Sequence, residues 1–103
     1  MIILFLNYTP HNICLNSGET FVSVGVARVG NEFTDFDDDL VCKQTFGMVE
    51  GLPKEVEGTK LIVSGLVLSA SNRKDLVAPA TGHQSVVRND KGHIVSVPGF
   101  VTN

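Results

Sequence analysis

Seven polar residues of this chain are the hardest to explain as simple surface or turn positions: Asn7, Thr9, His11, Ser64, Arg73, Asp75 and Arg88. Arg73 and Arg88 could clamp a phosphate bidentately, because a guanidinium presents its donors in a planar fork that matches the anion. Asn7 and Ser64 each follow a short apolar run that reads as a strand. If those strands are parallel neighbours, both residues stand at the carboxyl edge of a sheet, where α/β folds bind ligands. A helix starting after Ser64 would bring free backbone N–H groups and the positive end of its dipole to the same rim. A second chemistry uses His11 as general acid or base, with Asp75 orienting its imidazole and Arg73 or Arg88 stabilising developing phosphate charge, as in phosphodiester cleavage. The chain holds no Gly-x-Ser-x-Gly, P-loop or His-Glu-x-x-His motif to reinforce the catalytic version. A plainer account needs no ligand. Asn7, Thr9 and His11 cap a turn, Asp75 pairs with Arg73 or Lys74, and Arg88 is exposed.

No metal or cofactor is implied. The run Asp35-Phe36-Asp37-Asp38-Asp39 could gather carboxylates on a hard cation, but an EF-hand loop counted from Asp35 would need Gly and Glu where Leu40 and Phe46 stand. The run reads as a solvated loop. Cys14 and Cys42, with no Cys-x-x-Cys and no histidine pair at ligand spacing, read as two buried free thiols.

Charge narrows the partners. Residues 1–60 hold nine acids against Arg28, Lys43, Lys54 and Lys60, whereas residues 61–103 set Arg73, Lys74, Arg88 and Lys91 against Asp75 and Asp90 alone. An acidic first half argues against long duplex DNA, which requires a broad basic face to displace counterions. A compact basic spot for one or two phosphates remains open to the second half. No apolar run approaches the roughly 20 residues that cross a bilayer. The apolar Met1 to Leu6 lacks the basic flank of an export signal, so the cytoplasm is the expected site.

The elements that must position these residues are mostly strands, because β-branched residues cluster in short runs between Gly, Pro, Asn and Asp. Ile2 to Asn7 predicts a strand and Asn7 to His11 a turn. Asn12 to Leu15 predicts a short strand, and Thr20 to Val29 a longer one, its period of two setting Val22, Val24 and Val26 on one face with both faces partly covered. Leu40 to Phe46 predicts another, closed by Gly47. Leu61 to Val63 predicts a buried strand, followed by a short helix over about 64–72 on the stripe Val63, Leu66, Val67 and Ala70, with Ser64 as N-cap. A single strand bent at Gly65 is the alternative. Gln84 to Arg88 and His93 to Val97 flank Asn89-Asp90-Lys91-Gly92 as a C-terminal hairpin, whose two- or four-residue loop would set Arg88 opposite His93. The expectation is one α+β domain over residues 1–103, mostly β, with a single small mixed or antiparallel sheet, one short helix and that hairpin. One core suits this length.

The punctuation marks recur in a recognisable order. Asn7-Tyr8-Thr9-Pro10-His11 follows an apolar strand, Ser17-Gly18 precedes a Val-rich run ending in Ala27-Arg28-Val29, and Phe46-Gly47 stands before Gly51-Leu52-Pro53. Gly58-Thr59, Ile62-Val63-Ser64, Arg73, Asp75-Leu76, Pro79, Thr81-Gly82, Arg88, Asp90 and Gly92 to Val95 complete it. The set, covering nearly the whole chain, resembles a group of small uncharacterised proteins of tailed bacteriophages and prophage segments whose members often begin Asn-Leu-Thr-Pro-His. Tyr8 departs from the usual aliphatic residue, and Ala80 from a common Asp. The resemblance implies a phage origin and action in the cytoplasm of a bacterial host, with no established activity to carry over. The function it suggests is a small binding module, acting on a host protein or capturing a phosphorylated small molecule such as a nucleotide. A His11-dependent phosphodiester- or nucleotide-cleaving enzyme and a structural component of the virion are the alternatives. Exposed strand edges would also suit self-association into a homo-oligomer.

Overall fold

The structure, a computed structural model, describes residues 3–103. Three strands lie parallel at its centre: β1 (Leu4–Asn7), β6 (Thr59–Ile62) and β7 (Leu76–Pro79), with β10 (Phe100–Val101) antiparallel on the far edge in the order β1-β6-β7-β10. Three two-stranded antiparallel ribbons surround this mixed sheet: β2 (Ile13–Cys14) with β3 (Thr20–Phe21), β4 (Arg28–Phe33) with β5 (Gln44–Glu50), and β8 (Val87–Arg88) with β9 (Ile94–Ser96). One helix, α1 (Gly65–Ser69), follows β6. The chain is thus a β-rich α+β protein, with its strands spread over more sheets than one.

Alternation along the parallel strands builds two apolar layers. Leu61, Val63, Leu76 and Ala78 turn to one face, where Val67 and Leu68 of α1 and Ala27 close over them. Ile62 and Val77 turn to the other, packing against Ile13 and Val97. Phe5, Phe21 and Phe100 join that second layer as a trio of rings with centroids 5.0–5.8 Å apart, edge-on or offset as aromatic quadrupoles prefer. β6 is buried on both sides because it is the inner strand of a sheet covered on both faces.

Several predicted boundaries move. The first strand begins at Leu4, and its predicted start at Ile2 lies outside the described residues. Between Thr20 and Val29 the ladders end at Phe21 and resume at Arg28, with one isolated parallel bridge from Ser23 to Asn7. In between, Val24 N–H donates to the Asn7 carbonyl and Ala27 N–H to that of Tyr8, so the backbone serves the turn after β1 instead of a ladder. The period of two survives there, but Val22, Val24 and Val26 face solvent. β5 starts at Gln44 and runs through Gly47 to Glu50, since Asp37 Oδ1 accepts from Asp39 and Val41 N–H and holds the preceding segment in a loop. The helix ends at Ser69, three residues short of its predicted end, and its N-cap is as read: Ser64 Oγ accepts from Val67 N–H at 3.3 Å. The C-terminal hairpin pairs Arg88 with Ile94 and not with His93. Its loop has three residues: Asn89 N–H bonds the His93 carbonyl, Asn89 Oδ1 accepts from Lys91 and His93 N–H, and Gly92 takes the left-handed conformation at φ 80° that such a loop requires. Cys14 is exposed and Cys42 half-buried, both as free thiols, because each sits on a short strand or loop at the periphery and not in the central layers.

Candidate functional site

All three parallel strands point their carboxyl ends at one cleft of about 930 Å³. The turn after β1 contributes Thr9 to Asn12, the exit of β6 contributes Ser64 and Gly65, and the end of β7 with the following loop contributes Ala78 to His83. The opposite wall is Ile13 and Cys14 of β2 and Ile94 to Val97 in and after β9, with Val101 of β10 at the edge. The conditional inference from sequence therefore holds in its geometry. Asn7 and Ile62 are register partners in parallel strands, and Asn7 and Ser64 both stand at a carboxyl edge.

Asn7 itself builds the rim without reaching the ligand space. It is 1% exposed. Its Nδ2 donates to the carbonyls of His11 and Phe21 at 2.8 and 2.9 Å, and its Oδ1 accepts from Thr9 N–H and Thr9 Oγ1–H at 2.9 and 2.7 Å. Every donor and acceptor on the amide has a partner within the fold, which is what permits its burial. The result is a fixed turn from Asn7 to His11 that leaves the His11 side chain exposed over the cleft. Tyr8 packs on the core side of that turn, against Gly25, where an added Cβ would stand 2.9 Å from the ring.

The polar groups facing the cleft are those of His11, Asn12, Ser64, Thr81, His83 and Ser96 together with the rim of Thr9. His83 Nδ1 accepts from Ser85 N–H, so its imidazole is oriented by its own loop. Most of the remaining lining is apolar: Ile13, Ala78, Pro79, Ala80, Ile94, Val95, Val97 and Val101. Ser64 Oγ is engaged by Val67 N–H, and α1 is only five residues long, too short to accumulate the dipole expected of a helix at this edge.

The other three predicted residues lie elsewhere. Arg73 donates through Nε and Nη2 to the two oxygens of Asp75 at 2.9 and 2.6 Å, at the amino end of β7. Asp75 is 4% exposed, and with both oxygens committed it is not placed to orient the His11 imidazole. The hydrogen bond to Asp75 raises the Arg73 pKa, its burial opposes the rise, and the charges of Asp75 and Glu55 add to it. Arg88 Nη1 donates to the Gly92 carbonyl within its own hairpin and does not line the cleft. Asn7, Thr9, His11 and Ser64 thus gather at one edge, whereas Arg73, Asp75 and Arg88 do not join them, so among the described residues no arginine lines the cleft to clamp an anion.

Arg73 instead borders a second, polar depression of about 670 Å³ with Lys60, Lys74, Ser69, Ser71, Asn72, Thr102 and Asn103. Lys60 Nζ donates to the Lys74 backbone carbonyl at 3.3 Å, which fixes the Lys60 ammonium at the edge of this depression. Sequence reading missed His83 and the Ile94 to Ser96 wall as site residues. His83 follows the end of the third parallel strand, and the rule that ligands collect at carboxyl edges could have found it once Leu76 to Pro79 was recognised as a parallel strand.

Among the described residues, no three of His, Cys, Asp and Glu converge as a metal site, and no helix is long and apolar enough to cross a membrane. No protein-family model matches the chain, and no curated protein or solved structure matches it either.

Proposed function

We propose that this chain is a small binding module that captures an apolar segment of a bacterial host protein in the cleft at the carboxyl ends of β1, β6 and β7. One observation carries the reading: the cleft joins an apolar wall, Ile13, Ile94, Val95 and Val97, to a rim of hydroxyls and imidazoles, while both candidate arginines are bonded outside it. A site of that composition gains most of its affinity from burying carbon and uses a few polar groups to set orientation. The phage origin and the action in the host cytoplasm rest on the resemblance carried by Asn7 to His11 and the motifs that follow it.

A phosphorylated small molecule such as a nucleotide is the second reading, favoured by one observation of its own. The depression bordered by Lys60, Arg73 and Lys74 offers three cations and the hydroxyls of Ser71 and Thr102 in a concave surface. There the Asp75 carboxylate would compete with the phosphate for Arg73, so Lys60 and Lys74 would supply most of the attraction.

Capture from bacterial lysate by the intact chain and by Val95→Asp, run beside thermal-shift measurements with nucleotides, separates the two. Val95 is 53% exposed, so the variant retains the fold. The cleft reading expects a host protein retained by the parent chain and lost by Val95→Asp. Nucleotide stabilisation that survives Val95→Asp and disappears in Lys74→Glu would replace it with the second reading.

A further inference from the structure

The ribbon of β4 and β5 is built for a partner that the rest of the chain does not supply. At its base, Val29 and Val49 are register partners that pack on the central core. Beyond the irregularity that follows Val29, the register pairs Asn31 with Phe46 and Phe33 with Gln44, so Phe33 and Phe46 continue the face that Val29 and Val49 begin. Phe33 is 64% exposed and Phe46 48%, and the loop between the strands adds Phe36, Leu40 and Val41 in the open. Residues 30 to 48 are exposed apart from the half-buried Cys42. An isolated two-stranded ribbon is at best marginally stable in water.

The dimensions agree. The radius of gyration is 16.0 Å, against about 13 Å for a compact chain of this length. The chain exposes 7408 Å², whereas a compact protein of its mass exposes about 5,700 Å². The excess, roughly 1,700 Å² per copy, is more than the about 800 Å² per partner that a stable interface needs.

We infer that the occupant is a second copy of this chain, the two arms lying antiparallel across a two-fold axis with their Phe33 and Phe46 faces together. Such an interface uses the same patch on both copies and closes on itself. The tip, Asp35 to Leu40, carries the exposed Phe36 and Leu40, and the exposed strip Val22, Val24 and Val26 runs up to the base at Arg28. Antiparallel arms bring the apolar tip of one copy to the apolar strip beside the base of the other. No residue of the arm lines the cleft, so the dimer leaves that site open.

Sedimentation equilibrium of the full chain over a wide concentration range tests this, with Phe33→Lys, Phe46→Lys and the opposite-face control Thr45→Lys. The expected mass rises to a plateau at twice 11.1 kDa. Phe33→Lys and Phe46→Lys should each weaken the dimer by about thirtyfold or more, the loss typical of a central aromatic anchor, while Thr45→Lys leaves its Kd unchanged. All three side chains are exposed in the single chain, so circular dichroism should show the same folded state in each. A monomer at every concentration, a mass that climbs without a plateau, or a Thr45→Lys defect as large as that of Phe33→Lys would overturn the proposal.

Discussion

Thr9 meets the Asn7 carbonyl oxygen twice, donating its backbone N–H at 2.9 Å and setting its hydroxyl 2.7 Å away, where the one hydroxyl proton is shared with the His11 carbonyl, and neither residue is more than 6% exposed. The pair therefore shapes the cleft as structure and not as ligand. Asn7→Asp keeps that acceptor but removes the two N–H bonds to His11 and Phe21, leaving a buried carboxylate against two carbonyls. The expected cost is about 3–5 kcal/mol, a large share of the stability of a small domain. Thr9→Val, which keeps the shape and deletes one hydroxyl, should cost about 1–2 kcal/mol. Urea unfolding of both variants checks the ranking.

His11 separates the binding reading from the catalytic one. Its carbonyl, not its imidazole, holds the turn, so His11→Ala should change stability by no more than about 0.5 kcal/mol. Host-protein capture should weaken only a few-fold, because one rim group at an exposed position contributes modestly. Phosphodiesterase assays on parent and variant should give the same background.

The Arg73–Asp75 pair joins a partly exposed arginine to a buried aspartate, with 31% of the arginine exposed and 4% of the aspartate. Asp75→Asn should cost about 1–2 kcal/mol, between the values for surface and buried pairs. Its pH dependence follows from the raised Arg73 pKa. A cation whose pKa is higher in the folded state than in the unfolded one contributes its full stabilisation below the unfolded value and loses it only as pH climbs through the folded one. Guanidinium titrates far above neutrality, so the difference between Asp75→Asn and the parent chain should be the same at about pH 7 and about pH 10. Denaturant midpoints at the two pH values provide the check.

Two left-handed glycines should respond differently to alanine. Gly51 has φ 92°, and an added Cβ would stand 2.5 Å from the Val26 carbonyl oxygen. Gly18 has φ 102° with nothing within 4 Å. Gly18→Ala meets only the backbone strain of about 1–2 kcal/mol, whereas Gly51→Ala adds a collision with fixed backbone and should exceed it. Thermal midpoints rank the two, at about 4–8 °C per kcal/mol for a domain of this size.

The sequence made the central layers legible and the site only partly so. Alternation at Leu61 to Val63 and the Ser64 cap were readable because burial on both faces and the first turn of a helix each leave a local mark. The Arg88 register was not readable, since the side chain of Asn89 selects a three-residue loop where composition permits two, three or four. Asn7, Thr9 and His11 stood out correctly as a cluster, but a residue whose bonds all close within its own turn has the same sequence signature as one that reaches a ligand. The arginines were misplaced for a different reason. Which end of a strand a loop residue occupies depends on strand direction, and that is fixed by pairing over distances no local pattern records.

A photo-crosslinking residue in place of Val95, irradiated in bacterial lysate, tests the cleft reading most directly. The account predicts a single discrete adduct with a host protein, abolished when Ile94→Asp is added and absent when the same crosslinker replaces Lys74. No host adduct from position 95, or an equal yield from position 74, would contradict it.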